Sequence, residues 1–430
     1  MSQPTSVPTT PLSQMSPDEL TAFLDAARSS YDDLTRRGLS LDLTRGKPAP
    51  EQLDLADGLM SLPTTTTDST GTDVRNYGGL QGLGDLRDIF GELLGVHADR
   101  LVAGGTSSLV MMRDVLVDLW LKGGPGGGRP WGAEETVKFL CPSPGYDRHF
   151  TLTSWFGIEN VPVPMTDEGP DLDAVEALVA EDPTIKGMWV VPTYANPTGT
   201  VVSDAVAARL AAMPTAADDF TILWDNAYAL HHLTDTEHRS ADLIGACAEA
   251  GHPDRAVMFA STSKISWAGA GVAFLAGSEA TVSWYLHHLG QGSIGPDKAN
   301  HLRHVQLFGS ADGVREHMAK HRALIAPKFA AVDKALTHSL AGLGIAEWTR
   351  PKGGYFVSLD VLPGTASRVI SLAKDAGVAL TPAGSAFPGA DPEDRNIRLA
   401  PTFPPLDSVV EAMEAVATCV RLAAAEKLAG

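Results

Sequence analysis

The chain has 430 residues, 44% of them apolar, enough to bury a large core and long enough for two domains. Its 52 acidic residues against 33 basic ones leave a formal net charge of −19. That excludes nucleic acid as the principal partner, because a phosphate backbone needs a surplus of Lys and Arg on one face.

Residues 1 to 15, MSQPTSVPTTPLSQM, are rich in Ser, Thr and Pro and read as a disordered tail. They carry neither the basic residues nor the apolar stretch of a secretory signal, and no apolar run of about 18 residues occurs anywhere. Three widely spaced cysteines, Cys141, Cys247 and Cys419, give neither a disulfide framework nor a CxxC metal pair. A cytoplasmic protein with no membrane partner and no metal is the expectation.

Residues 16–65 begin with a helix signal: Ser16 suits the N-cap, Pro17 the first turn, and apolar residues recur at helical spacing. LSLDLTRGKPAP then reads as a short strand entering a Gly/Pro loop. From 66 to 324, short apolar strands alternate with amphipathic helices, which predicts a mainly parallel sheet covered on both faces. VKFLC (137–141), GMWVVP (187–192), FTILWD (220–225) and AVMFAS (256–261) are the clearest strands. KGGPGGGRPWG (122–132) lacks the GK[ST] ending of a P-loop and reads as a surface loop. Residues 325–430 predict a helix, a strand (GGYFVSLDV) and a terminal Ala-rich helix from about 405, together a smaller α/β domain that residues 16–65 join.

Several strand ends hand polar residues to loops, where open α/β sheets place their ligands. FTILWDNAY delivers Asp225 and Tyr228; a buried carboxylate there needs a cation or strong donor, unless Asp225 is simply a helix cap. NPTG places the Asn196 amide at another strand end and would serve equally as a plain turn. Gly105, Thr106 and Ser107 open an apolar helix, as an anion cradle or as an ordinary cap. Lys264 stands among small residues, and a partly desolvated lysine can become a neutral amine that condenses with a carbonyl. Together, a lysine for an aldehyde, an anion for a pyridinium and N–H and O–H donors for a phosphate match the needs of pyridoxal 5′-phosphate.

In order and spacing, YGGLQGLGDLRD, GGTSS, PSPGY, NPTG, DNAY, STSK and NIRLA resemble the fold-type I, pyridoxal phosphate-dependent class I/II aminotransferases. The nearest likeness is to a divergent aspartate aminotransferase subgroup with an SKIxxAGAG lysine motif, and it covers about residues 40 to 425. The resemblance implies a large domain with a mainly parallel seven-stranded sheet between helices, plus the smaller domain. It implies that Lys264 binds the cofactor aldehyde and shuttles protons, and that Asp225 partners the pyridine nitrogen. Tyr228 and Asn196 would bond the 3′-oxygen, and Tyr146 would stack on the ring. Gly105, Thr106, Ser107, Ser261 and Ser263 would form the phosphate cup, which Tyr77 of a second subunit completes in a homodimer. Arg398, helped by the backbone of Gly46, would clamp the substrate α-carboxylate.

One departure stands out: relatives carry a phosphate-binding arginine a short way beyond the lysine, where this chain reads AGAGVAF. Arg45, Lys47, Lys298 and Arg303 are candidate readers of a substrate side chain, and His231, His232, His287, His288, His301 and His304 read as structural or surface residues. The expected activity is transfer of an amino group, aspartate being the favoured donor and 2-oxoglutarate the acceptor, by a ping-pong route. The rivals are a lyase of the same fold and a cofactor-binding regulator, which would need a basic DNA-binding segment ahead of TRGKP that this chain lacks.

Overall fold

The computed structural model describes residues 10–430. Residues 1–9 of the expected tail lie outside the described residues, and the rest of it is anchored. Leu12 is buried and its N–H donates to the Leu343 carbonyl at 2.9 Å. A single apolar anchor in a Ser/Thr/Pro-rich stretch was enough to override the average composition. The helix Pro17–Arg36 starts with a capping box: Ser16 N–H donates to Glu19 Oε2 at 2.8 Å, and Glu19 N–H returns to Ser16 Oγ at 3.4 Å.

Among the described residues the strands are β1 (Leu41–Asp42), β2 (Leu101–Ala103), β3 (Lys138–Ser143), β4 (Glu159–Thr166), β5 (Gly169–Pro170), β6 (Ile185–Val190), β7 (Thr221–Asp225), β8 (Ala256–Ser261), β9 (Ala273–Ala276), β10 (Ala346–Trp348), β11 (Val357–Val361), β12 (Val378–Ala379) and β13 (Asn396–Leu399). The large sheet runs β2-β9-β8-β7-β6-β3-β4-β5. Its centre, β4-β3-β6-β7-β8, is parallel; β9 lies antiparallel between β8 and β2, and β5 is an antiparallel return on β4. The expected seven strands are therefore eight, because a two-residue strand is too short to leave a periodic signal.

Both faces of this sheet are buried, so its strands read as continuous apolar runs rather than alternating ones. In β7, Ile222 and Trp224 point into one core with Met188, Val190 and Met258, while Leu223 points into the other with Phe139, Trp189 and Phe259. The second of these cores rests on Met112, Val115, Leu116 and Leu119 of the helix Ser108–Lys122. The glycine-dense loop ends on Trp131, which is fully buried there and donates its indole N–H to Asp219 at 2.8 Å, so that segment is only partly a surface loop.

A separate core joins Phe23, Leu24, Ala27 and Leu34 to Phe329, Val332, Leu336, the strands β11 and β13 and the helix Leu406–Ala429. The chain crosses between cores inside one helix, Ala311–Leu340: Val314 and Met318 belong to the large sheet's core, Val332 and Leu336 to the smaller one. That helix begins well before the expected one at about 325 because its first turns carry His and charged residues that blur the apolar stripe.

From β3 the chain moves outward to β4, whereas β6, β7 and β8 are laid down on the opposite side. The carboxyl ends of β3 and β6 therefore flank a topological switch point, where open α/β sheets open a crevice for ligands.

Candidate active site

Each motif sits at a strand end on this rim. PSPGY straddles the end of β3, NPTG follows β6, Asp225 closes β7, Ser261 closes β8, and GGTSS follows β2. Asp225 is buried, with Oδ2 held 2.9 Å from His149 Nε2, while Oδ1 finds no hydrogen-bond partner among the described residues. His149 is itself buried and stacks on Trp189 with ring centroids 4.2 Å apart and 7° between planes. An unpaired buried carboxylate oxygen is costly, which marks this one as aimed at something that arrives later.

Lys264 is half-buried, and burial lowers its pKa below the usual lysine value, with the Asp225 charge opposing the shift. Its Nζ lies 4.9 Å from the centre of the Tyr228 ring. Burial pushes the Tyr228 hydroxyl well up, helped by Tyr146, Asp225 and Tyr355 and opposed by Arg398. Tyr146 is pushed up to about 12, by burial first and then by Asp225 and Asp147. Asn196 is buried with its amide oxygen unpartnered, and it lines one small cavity together with Tyr146, His149 and Trp189. Lys264, Asp225, Tyr228, Tyr146 and Asn196 are thus gathered at one place.

GGTSS and STSK meet across the sheet edge. Ser263 Oγ donates to the Thr106 carbonyl at 3.4 Å, and Gly104 and Gly105 exchange hydrogen bonds of 2.8 and 2.7 Å with Ala273. Ser107 caps the helix Ser108–Lys122 without a side-chain bond; the Val110 N–H bonds back to the Ser107 carbonyl at 3.2 Å, and the N–H groups of Ser108 and Leu109 stay free for an anion. Ser261, Ser263, Gly105, Thr106 and Ser107 all belong to this rim. In AGAGVAF no cation is supplied: Asn300 Nδ2 fastens the segment by donating to the Ala270 and Gly271 carbonyls, each at 3.0 Å.

Gly46 and Arg398 are brought together by Phe356. The Arg398 guanidinium lies 5.2 Å from the Phe356 ring centre, and a Cβ on Gly46 would stand 2.4 Å from Phe356 Cζ. Arg398 Nη1 donates to Asp147 at 3.0 Å, and its buried Nε has no partner among the described residues, leaving donors for an incoming carboxylate.

Tyr77 stands apart, 84% exposed. Lys298 is buried beneath its loop and donates to the Asn76 carbonyl at 2.8 Å and to the Gly78 carbonyl on the other side of Tyr77. Lys298 is therefore a loop fastener, and Arg303 is similarly engaged with the Leu62 carbonyl at 2.8 Å. Lys47 lies over the Phe403 ring at 3.8 Å, and Arg45 is exposed. Among the described residues no cluster of His, Cys, Asp and Glu could hold a metal, no helix is long and apolar enough to cross a membrane, and all three cysteines are free and buried.

A family model described as aspartate amino-transferase matches residues 15–430. The chain belongs to the aspartate aminotransferase family. A protein of Mycolicibacterium smegmatis is 58% identical over 418 residues, spanning 96% of this chain and 98% of its own. The aspartate aminotransferase of Corynebacterium glutamicum is 53% identical over 410 residues, 95% of either chain. A crystal structure of an aspartate transaminase from that organism superposes with a TM-score of 0.96 at 51% identity, covering 98% of this chain and all of the other. This aminotransferase shares the α/β fold of the pyridoxal phosphate-dependent fold-type I enzymes, as the motif order implied.

The residues present fit that cofactor. The unpaired Asp225 Oδ1, the unpaired Asn196 amide, the desolvated Lys264 amine and an uncapped helix N-terminus supply an acceptor, a polar ring contact, a nucleophile and an anion cradle. Sequence reasoning missed two residues of the aminotransferase site. His149 left a signal, since it follows Tyr146 by three positions on the helix Asp147–Trp155. Phe356 left none, because only the tertiary approach of the Gly46 loop gives it a role.

Proposed function

We propose that this aminotransferase uses pyridoxal 5′-phosphate, bound through Lys264, to move the amino group of aspartate to 2-oxoglutarate in two half-reactions that share one site. The observation that carries this reading is the buried, unpaired Asp225 Oδ1 on the strand next to the one that leads into Lys264. When bound, the cofactor supplies an electron sink for the pair left behind when the substrate α-proton departs.

The chain's own residues do the rest. Asp225, oriented by His149, holds a positive charge on the ring nitrogen, which keeps the sink deep. Burial favours the neutral amine of Lys264, so its Nζ would take the substrate α-proton and deliver it across the shared nitrogen to the carbon that was the cofactor's aldehyde carbon. Tyr228 and Asn196 bond the ring oxygen, and Tyr146 covers the ring. Gly105, Thr106, Ser107, Ser261 and Ser263 hold the phosphate with neutral donors, joined by Tyr77 from a second copy in a homodimer. Arg398 grips the α-carboxylate as a fork, and Phe356 with Gly46 sets the distance at which it does so. Because Lys298 is spent on two backbone carbonyls and Arg303 is anchored to the Leu62 carbonyl through its Nε, Arg45 and Lys47 are the first candidates to read the distal carboxylate.

Mixing the cofactor-loaded protein with each proteinogenic amino acid in turn, without an oxo acid, tests the reading. Aspartate should change the cofactor absorption fastest, and 2-oxoglutarate should restore it. A faster response to another amino acid would replace the donor; no response to any would sink the transaminase assignment.

A further inference from the structure

Around the Lys264 backbone lies a buried polar cluster that none of the chemistry above uses. It consists of Gln52, His231, His317, His321 and Tyr355, none more than 7% exposed. They come from four parts of the chain: the helix Pro50–Asp54, the loop after β7, the helix Ala311–Leu340 and the approach to β11. His231, Tyr355 and His317 reach two consecutive carbonyls, those of Lys264 and Ile265, and Gln52 and His321 stand directly behind them.

The hydrogen-bond directions follow from one fixed point. Gln52 Oε1 accepts from the Ala49 N–H at 3.0 Å, so Gln52 Nε2 is the donor end. It reaches His321 Nδ1 at 3.0 Å and Tyr355 Oη at 2.9 Å, one hydrogen for each. His321 Nδ1 must then accept, which puts the hydrogen of the neutral ring on Nε2. His317 Nε2 donates to the Ile265 carbonyl at 2.7 Å; His321 Nε2 lies 3.1 Å from that nitrogen, and because both carry a hydrogen neither accepts from the other, so both N–H groups face the Ile265 carbonyl. Tyr355, its oxygen already accepting from Gln52, turns its hydrogen to the Lys264 carbonyl at 3.4 Å; His231 Nε2 approaches the same carbonyl at 3.3 Å. Burial holds His231 and His321 down to about 3 and lowers His317, so all three rings stay neutral and keep these directions.

A turn carrying a reactive lysine needs no such apparatus merely to be buried; ordinary apolar packing would cost less than ordering five polar side chains. We infer that His317, His321, His231 and Tyr355, ordered by Gln52, form a carbonyl clamp that fixes the Lys264–Ile265 backbone and so aims the lysine amine at the Asp225 side of the site. These are positioning residues, since none of them touches the reacting atoms. The inference rests on Lys264 being the reactive amine but not on which cofactor it captures.

The groups that face the amine are Asp225, Tyr228 and His231; burial lowers its pKa and the Asp225 charge opposes the shift, so an amine swung out of the site loses the burial and regains an ordinary lysine pKa. Competitive acetylation of the apoprotein across a pH series, with peptide mapping, reads that pKa at Lys264 without any cofactor. In His317→Leu the donor to Ile265 is lost, and the Lys264 pKa should rise toward that of an ordinary lysine. In His317→Gln, whose Nε2 can replace the imidazole donor, it should stay low. Tyr355→Phe removes one hydroxyl and should give a smaller rise, which keeps the test open if the leucine variant does not fold. Uptake of pyridoxal phosphate by the same apoproteins, followed by absorbance, should slow by about 10-fold to 100-fold in His317→Leu and recover in His317→Gln. A folded His317→Leu whose Lys264 titrates like wild type would overturn the clamp, as would leucine and glutamine variants impaired alike. Wild-type protein that takes up no pyridoxal phosphate would instead sink the cofactor reading and leave the acetylation result standing.

Discussion

His149 Nε2 stands 2.9 Å from Asp225 Oδ2, and the other Asp225 oxygen is buried without a partner. One oxygen is thereby fixed by the protein and the other reserved. Asp225→Ala should lower the transamination rate by about 10³-fold, equivalent to roughly 4 kcal/mol for a charge-assisted contact to the ring nitrogen. His149→Ala leaves the carboxylate in place and removes only its orientation, so steady-state kinetics should show a smaller loss, about 10-fold to 100-fold. Near-normal turnover in Asp225→Ala would reduce that carboxylate to a structural cap.

Lys264 should be the residue that carries the cofactor. After borohydride reduction of the yellow holoprotein, peptide mapping should find the pyridoxyl group on Lys264, and a label on any other lysine would refute the assignment.

Gly46→Ala introduces a methyl group 2.4 Å from Phe356 Cζ, a separation no packed pair tolerates, so the ring must shift. Arg398 rests over that ring, and Michaelis constants for all amino acid substrates should rise together. Melting should show a loss of about 1–3 kcal/mol, the usual cost of overpacking. Arg398→Lys should raise the same constants without the stability loss, because an ammonium cannot reproduce the guanidinium fork. A defect confined to dicarboxylic substrates would make Arg398 the specificity residue instead.

Acid should destabilise the fold well above the range where carboxylates alone titrate. Burial holds His231 and His321 down to about 3 and His301 to about 4. The unfolded chain therefore binds these three protons first as pH falls below about 6.5, and stability drops. Asp118 acts in the opposite sense: burial raises it to about 6, so the folded form gains a proton there before the unfolded form does. For these four groups the balance near pH 5 is about two protons, or roughly 3 kcal/mol per pH unit, and His232, His304 and His317, also lowered by burial, add in the same sense. A melting temperature that stays flat from pH 6 to pH 4 would contradict it.

Tyr77 is held outward by Lys298, which bonds the carbonyls on both sides of it. Lys298→Met should loosen that loop and weaken cofactor retention without changing residues of the site itself, and Tyr77→Phe should do the same through the lost hydroxyl. Sedimentation should show a dimer, and a fully active monomer would remove Tyr77 from the phosphate cup.

Motifs that are local were legible in the sequence. Asp225, Asn196, Tyr146, Ser261 and Lys264 lie on or just beyond strand ends, and turn chemistry together with apolar runs locates a strand end within a residue or two. The strand direction of β9 was not legible, because an apolar run has no polarity. Nor was the Gln52–His321 contact, which joins residues 269 positions apart through two side chains that would be unremarkable on any surface. The role of Lys298 was hidden for a related reason: a lysine that satisfies backbone carbonyls looks in sequence like one that waits for a substrate.

The helix Ala311–Leu340 has a consequence for how the molecule is made. The large-sheet core is drawn from a continuous stretch, Val74 to Met318, and can close as soon as that stretch has left the ribosome. The smaller core cannot, because Phe23, Leu24, Ala27 and Leu34 pack against residues from Phe329 onward. The amino-terminal helix must therefore wait through roughly 300 residues of translation, on the order of 15 to 60 s at bacterial and eukaryotic elongation rates, with its apolar stripe uncovered. During that interval it is the segment of the nascent chain most in need of a chaperone, and the end of the wait is the emergence of the last helix, Leu406–Ala429.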